Sequence, residues 1–306
     1  MFDASTNPGG GTGRKVDSRV MGAGNIAKTA VLLAAIGGLL IVIGGLLGGT
    51  TGAAIGLAMG LGICGASYWK SDALAVRSAG AVPISEAEAP RLHEAVREVV
   101  ARAGTPMPRV YFIDSPQPNA FATGRNPQHA VVAVTRGLLD ITDRDELMGV
   151  LAHEMGHIRN RDILIGSVAA AIAMAISFVA NMAMWASMFG GGGDDDSPNP
   201  FALLLMALLA PVAAGLLQMA LSRSREYEAD RAGAEIMGDP EPLARALLKL
   251  EAVAQQTPVH VNPAQSTAYI VNPLRGREAK AARWFMTHPP VEDRVARLRS
   301  MQVGGL

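Results

Sequence analysis

The sequence predicts a mainly α-helical membrane protein with four transmembrane helices and an α+β domain, in which a small β-sheet lies beside a helix that carries an HExxH motif. Four apolar runs with almost no internal charge have the length of a membrane-spanning helix. Between the second and third runs, the pattern changes to that of a soluble domain with amphipathic helices and short β-branched stretches. The motif "HEMGH" lies near the end of this stretch, a few residues before the third apolar run.

Composition limits the functions that this chain can have. Hydrophobic residues make up 49% of the 306 residues while aromatic residues make up only 5%, because the apolar mass is Ala, Gly, Leu, Ile and Val in long runs. Lys plus Arg and Asp plus Glu both number 27, so no basic excess favours nucleic acid as a partner. One cysteine, Cys64, excludes an intrachain disulfide. Residues 1–25 are rich in Gly, Ser and Asn and are predicted to be a disordered tail.

The four apolar runs are predicted to form two transmembrane hairpins. Residues 29–49 and 51–69 make the first hairpin, within 26–69, and residues 163–189 and 201–221 make the second, within 163–221. The alternative, that all four are core helices of a soluble protein, is disfavoured because a chain of 306 residues could hardly bury them. Positive charges flank the runs on one side, whereas the connectors "GGTT" and "GGGGDDDSPNP" carry none. The positive-inside rule therefore places both termini and residues 70–162 in the cytoplasm, next to a lipid bilayer.

Residues 70–162 are predicted to form the first half of the α+β domain. The sequence "SEAE" resembles a capping box and is followed by an amphipathic helix that extends to about Arg102. The runs "RVYFI" and "AVVAVT" are predicted strands, and "DSPQPNAFATGRNPQ" between them is predicted to be loop-rich. The stretch "TDRDELMGVLAHEMGHIRNRD" is predicted to be a helix that starts at a Thr or Asp cap.

The HExxH motif predicts a zinc site on this last helix. His153 and His157 are four residues apart and share one face, so both imidazoles can bind one metal ion. Glu154 would then lie beside the open coordination position, where it could act as a base. Zinc is the favoured ion, although Co or Mn could occupy such a site in vitro. A chance match is the alternative interpretation, which the helical context disfavours.

Residues 222–306 are predicted to supply the third metal ligand. The sequence "REYEAD" offers Glu226 and, one helical turn later, Asp230, which could accept a hydrogen bond from the free nitrogen of a ligand histidine. By itself this segment would be a solvated charged face. However, an intervening hairpin returns the chain to the side that it left, which brings Glu226 near His157. A helix that continues from His157 into the third apolar run would hold the metal roughly 10 Å above the lipid.

Four motifs, "NAFATG", "HEMGHIRNRDIL", "SRSREYEAD" and "THPPVEDR", occur in this order, with two apolar runs before and two after the HExxH helix. This arrangement resembles the HtpX family of membrane-bound zinc metalloproteases, which are related to the CAAX prenyl endopeptidases. The resemblance covers about residues 26–301. It implies a zincin-like catalytic domain of the gluzincin type, on the cytoplasmic side of a bacterial inner membrane. It also implies a role in stress response and in quality control of damaged membrane proteins.

The resemblance also implies a role for each matching residue. His153, His157 and Glu226 correspond to the ligands of one zinc ion per chain, Glu154 to the catalytic base, and Asp230 to an acidic residue behind the ligands.

Three further positions match the family motifs. Asn119 corresponds to an asparagine that holds substrate backbone near an edge strand, although a turn asparagine would look the same. His288 and Arg294 correspond to residues near the transition-state oxyanion, although a histidine before two prolines is otherwise an ordinary loop residue. Gly156 lies inside the HExxH helix, where glycine lowers helix stability by about 1 kcal/mol relative to Ala. We attribute its presence to close packing beside the metal.

These observations predict a zinc metalloendopeptidase that cleaves cytoplasmic segments of misfolded membrane proteins. Two alternatives stay open: a zinc protease that cleaves within the membrane, and a zinc-bound membrane adaptor without proteolytic activity. No Walker sequence is present, so any unfolding force would come from a partner such as an ATP-dependent membrane protease system.

Overall fold

The computed structural model describes residues 49–62, 65–66, 68–160, 162, 223–256, 270 and 289–303, together with isolated positions between 30 and 45. The predicted tail, the predicted third and fourth transmembrane helices and His288 lie outside the described residues. Among the helices that can be described, none is both long and apolar enough to cross a bilayer. The four transmembrane helices therefore stay a prediction.

The described residues are mostly helical and contain one small mixed sheet, as the sequence predicts for the α+β domain. The sheet has the strand order β1-β2-β4-β3, with β2 and β4 parallel and both outer strands antiparallel to their neighbours. In chain order the elements are α1 (Ser71–Ser78), β1 (Val82–Pro83), α2 (Pro90–Ala103), β2 (Arg109–Ile113), β3 (Ala120–Thr123), β4 (Val131–Thr135), α3 (Arg136–Ile141), α4 (Arg144–Arg159), α5 (Arg223–Met237), α6 (Glu241–Gln256) and α7 (Val291–Val303).

Helix α2 is amphipathic as predicted, but it begins later than the sequence indicated. Ser85 does not cap it: its backbone N–H and its hydroxyl both donate to the Glu88 carboxylate, which closes a separate turn. Pro90 then occupies the first helical position, which its fixed φ favours. Five residues one or two turns apart pack into the core, namely Leu92, Ala95, Val96, Val99 and Val100.

Two strands match the predicted runs "RVYFI" and "AVVAVT", but the sheet has a further strand that the residue pattern did not predict, although the family resemblance implied an edge strand near Asn119. Strand β3 lies inside the stretch predicted to be a loop, and it pairs with β4 at the edge of the sheet. It is only four residues long and is flanked by Pro118 and Gly124, so its period-two pattern is too short to stand out. This edge strand lies against the HExxH helix.

Helix α4 carries the HExxH motif and is capped at its N-terminus by Asp143, one of the two predicted caps. The Asp143 carboxylate accepts a hydrogen bond from the Glu146 N–H, and the Glu146 carboxylate accepts one from the Asp143 N–H. Both backbone N–H groups, which have no partner within the helix, are therefore satisfied. The helix ends at Arg159, and residue 162 is not helical. The expectation that this helix continues from His157 into the third apolar run was therefore wrong, because the chain turns at Asn160.

Helices α4 and α5 approach closely because glycines line their contact. A Cβ atom added to Gly156 of α4 would lie 3.0 Å from the Ala232 Cβ and 3.1 Å from the Ala229 oxygen. A Cβ added to Gly233 of α5 would lie 3.0 Å from the backbone nitrogen of His153. The structure thus agrees with close packing as the reason for glycine inside α4, and this packing brings Glu226 beside the HExxH motif.

Candidate metal centre

Three side chains from α4 and α5 point their ligand atoms to one place. His153 and His157 are one helical turn apart on α4, and their Nε2 atoms lie 3.2 Å apart. Glu226, in the first turn of α5, has carboxylate oxygens 3.8 Å from the His153 Nε2 and 3.7 Å from the His157 Nε2. One ligand atom from each residue lies within 4.8 Å of the other two. The structure therefore brings the three predicted ligands together.

Each histidine of this cluster is held from behind by a carboxylate. The Nδ1 of His153 lies 2.9 Å from Asp230 Oδ1, and the Nδ1 of His157 lies 3.0 Å from Asp162 Oδ2. A carboxylate accepts the Nδ1 hydrogen, so the lone pair of Nε2 faces the common centre in both rings. Asp230 was predicted to accept a hydrogen bond from a ligand histidine, and it lies in that position next to His153. Asp162 was not among the predicted site residues.

The arrangement fits a tetrahedral divalent metal ion. Metal–ligand bonds of about 2.0–2.1 Å separate tetrahedral donor atoms by roughly 3.4 Å. The two Nε2 atoms lie 3.2 Å apart, and Glu226 places Oε2 3.8 Å from the His153 Nε2 and Oε1 3.7 Å from the His157 Nε2. Two imidazole nitrogens and one carboxylate oxygen are also a donor set typical of catalytic zinc, with a fourth position left for water or substrate.

Electrostatics favour positive charge at this centre. Burial alone would lower the pKa of His157, but the charge and hydrogen bond of Asp162, together with the charges of Glu226 and Glu154, raise its pKa to about 10. The same negative surroundings that hold a proton on an imidazole would hold a metal cation at its Nε2.

Glu154 lies beside the ligands and is almost completely buried. Its Oε2 accepts a hydrogen bond of 2.7 Å from the backbone N–H of Ala122, in the edge strand β3. Burial raises the pKa of Glu154, and the negative charge of Glu226 adds to this, against the opposing effects of both histidines and of the Ala122 hydrogen bond. A carboxylate with a raised pKa accepts a proton more readily, as a general base requires.

Arg294, the residue predicted to lie near the oxyanion, is 0% exposed. Its guanidinium donates two hydrogen bonds to Asp230, of 2.8 and 2.7 Å, and a third of 2.9 Å to the carbonyl of Ile270. Burial alone would raise the pKa of Asp230, but the charge and hydrogen bonds of Arg294 lower it to about 2. Arg294 is thus linked through Asp230 to His153, a predicted ligand, and its guanidinium also lies 3.7 Å from the Glu226 carboxylate.

Asn119 lies just before the edge strand, as expected, and is buried. Its side-chain oxygen accepts a hydrogen bond of 3.0 Å from the N–H of Ile270, so Asn119 and Arg294 hold the two backbone groups of one residue. Binding of substrate by Asn119 stays a prediction.

Sequence reasoning missed Asp162 and the Ala122 N–H. Asp162 could have been noticed, because it is the acidic residue that follows the HExxH helix most closely. The role of Ala122 depends on a backbone group and on the unrecognised strand β3, which the sequence alone does not reveal.

Comparisons with known proteins agree with this geometry. Residues 86–302 match Peptidase family M48. A relative named Protease HtpX homolog, from Pelotomaculum thermopropionicum, is 50% identical over 282 residues, which cover 91% of this chain and 100% of the relative. A relative of the same name from Polynucleobacter necessarius is 51% identical over 285 residues, with 92% and 97% covered. The crystal structure of Ste24p from S. mikatae aligns with a TM-score of 0.50 at 19% identity, over 92% of this chain and 67% of that one, which indicates a shared fold.

Proposed function

This chain belongs to peptidase family M48 and is a metalloprotease of the HtpX type, and on this premise we propose that it is a membrane-integrated zinc endopeptidase. Its substrates would be flexible cytoplasmic segments of misfolded or damaged membrane proteins in a bacterial inner membrane. The observation that carries the proposal is the convergence of the His153, His157 and Glu226 ligand atoms beside the buried carboxylate of Glu154. A metal site next to a buried base is the arrangement that metal-assisted peptide hydrolysis needs.

His153, His157 and Glu226 would hold the zinc ion. When bound there, zinc supplies Lewis acidity, which makes a water molecule more acidic and polarises a peptide carbonyl.

Glu154 is the residue that moves protons in this proposal. Its carboxylate would take one proton from the attacking water and pass it to the nitrogen of the leaving peptide. The N–H of Ala122 fixes the carboxylate from the side of the sheet, so that Glu154 does not need to reorient before the reaction. His288 is proposed to stabilise the oxyanion, as the family resemblance implies.

The edge strand β3 supports extended peptide as the substrate form. It is the last strand of the described sheet, and it contacts the base through Ala122. A peptide added beside this edge would lie along the metal centre, with backbone hydrogen bonds that do not depend on sequence. Asn119, at the start of the strand, is proposed to contribute to binding at that end.

The membrane location rests on the sequence. The four apolar runs and the positive charges that flank them favour two hairpins with the metal centre on the cytoplasmic side. The charged residues Arg159 and Arg223 border the two helices that carry the ligands, which favours a centre outside the hydrocarbon over cleavage within it.

The test uses the full chain in detergent with a flexible substrate such as casein. We expect cleavage that a chelator abolishes and zinc restores, and no cleavage by Glu154→Gln although that variant still binds one zinc ion. Full activity of Glu154→Gln would exclude Glu154 as the base. Bound zinc in the wild type without any hydrolysis would favour the adaptor function.

Cleavage mapping on a substrate with one transmembrane segment separates the two proteolytic alternatives. We expect scission in the cytoplasmic flank of that segment. Scission inside the segment would contradict the proposed site of action and favour a protease that acts within the bilayer.

A further inference from the structure

Asp162 holds the second histidine of the metal centre from behind. It lies five residues after His157, beyond the end of α4, and its Oδ2 is 3.0 Å from the His157 Nδ1. The carboxylate is 5% exposed, so this contact is shielded from water. We propose that Asp162 is a positioning residue that fixes the tautomer and orientation of His157 and thereby sets the zinc affinity of the centre, an inference that rests on the proposed zinc function.

The contact does not arise from the way in which the helix ends. The backbone N–H of Asp162 donates to the His157 carbonyl over 3.2 Å, and the Asn160 N–H donates to the Gly156 carbonyl over 2.9 Å. These backbone bonds would persist with alanine or asparagine at position 162. The carboxylate is therefore not needed to terminate α4, and among the described residues it hydrogen-bonds to the imidazole of His157.

Burial of this carboxylate is costly without positive charge nearby. The second oxygen, Oδ1, is buried and has no hydrogen-bond partner among the described residues, and such a group destabilises the fold unless it is compensated. Arg225 contributes part of that positive charge, and a cation at the His157 Nε2 would add to it through the ring, as in carboxylate–histidine–metal arrangements. The arrangement thus links the buried charge of Asp162 to metal binding.

The two ligand histidines are supported by different parts of the chain. Asp230 comes from α5 and is neutralised by Arg294, with hydrogen bonds of 2.8 and 2.7 Å. Asp162 directly precedes the third apolar run, and its charge interacts with Arg225 of α5. The orientation of His157 is therefore set from the point where the chain enters the predicted second hairpin.

The experiment measures zinc affinity by chelator competition on the full chain in detergent, together with the visible absorption of the Co²⁺-substituted protein. We expect Asp162→Ala to weaken zinc binding by about 10- to 100-fold and to change the Co²⁺ spectrum. Asp162→Asn keeps an oxygen acceptor but loses the charge, so its affinity should lie between those of the wild type and Asp162→Ala.

Asp143→Ala is the matched control, because it removes the cap at the other end of the same helix. It should lower the melting temperature without changing zinc affinity or the Co²⁺ spectrum. Unchanged affinity in Asp162→Ala, or a loss no larger than that in Asp143→Ala, would overturn the positioning role. If the wild type itself bound no zinc, the proposed function would fail instead, so the two failures can be told apart.

Discussion

Gly233 lies directly against the backbone of His153: a Cβ atom added to Gly233 would lie 3.0 Å from the His153 nitrogen and 3.1 Å from its Cα. The contact sets how closely α5 approaches α4 and hence where Glu226 meets the two histidines. Because the neighbouring atoms belong to the backbone of His153, they cannot move without moving this proposed metal ligand.

We therefore expect Gly233→Ala to weaken zinc binding. Alanine would gain about 1 kcal/mol of helix propensity, but overpacking against a fixed backbone costs about 1–3 kcal/mol, so thermal stability should fall slightly or stay level. Zinc affinity, measured by chelator competition, should fall. Glu228→Ala on the same helix, where the side chain pairs with Arg231, should leave affinity unchanged, and an equal loss in both variants would contradict this account.

The contributions of Arg294 and Asp230 to stability should be strongly coupled. Arg294→Met removes the cationic partner of the buried Asp230 carboxylate, and loss of one partner of a buried pair costs about 3–5 kcal/mol. Asp230→Ala should cost a similar amount. The double variant should recover a large part of this stability in thermal unfolding, since neither charge is then left alone, whereas additive losses would argue against direct coupling.

The Ala122 N–H should matter for catalysis but not for metal binding. Ala122→Pro removes the donor to Glu154, a hydrogen bond to a charged group worth about 1.5–3 kcal/mol, so kcat should fall by about 10- to 100-fold. Zinc content should not change. Ala122→Val keeps the N–H and should retain most activity; if it lost as much activity as the proline variant, the side chain rather than the donor would be responsible.

The Glu241–Arg299 ion pair between α6 and α7 predicts a modest pH effect on stability. The hydrogen bond from Arg299 lowers the pKa of Glu241 below its ordinary value of 4.5. The stability that this pair contributes is therefore fully present above the ordinary pKa of Glu241, and it is lost as the pH falls through the lowered pKa. Glu241→Gln should cost only about 0.2–1 kcal/mol at pH 7, because the pair is partly exposed.

The comparison that tests this prediction is the melting temperature of wild type and Glu241→Gln across pH 3–7. The difference between them should shrink as the pH falls below the ordinary pKa of Glu241. A difference that stays constant with pH would assign the loss to packing instead of charge.

The sequence predicted those features that depend on local spacing. The HExxH pair, the amphipathic helix α2 and the Asp143 cap follow from helical periodicity and capping chemistry. The prediction of Glu226 required the additional argument that a membrane hairpin returns the chain to the same side. Glu226 does lie beside the two histidines. The structure shows that close packing of α4 and α5 at glycine residues brings them together.

The features that the sequence did not predict depend on tertiary contacts. The edge strand β3 is stabilised by pairing with β4, so four residues could fold as a strand within a loop-like sequence. The turn at Asn160 ended the HExxH helix early and brought Asp162 back to His157. The pairing of Arg294 with Asp230 depends on the packing of α7 against α5, whereas a place for Arg294 near the oxyanion stays a prediction.

The central claim is that His153, His157 and Glu226 bind one zinc ion together, and zinc affinity of Glu226→Ala tests it most directly. We expect the wild-type chain in detergent to bind one zinc ion and Glu226→Ala to bind zinc far more weakly, with proteolysis lost in parallel. Glu228→Ala, two residues away on the same helix, serves as control and should bind as the wild type does. Wild-type zinc affinity in Glu226→Ala would contradict the three-ligand site.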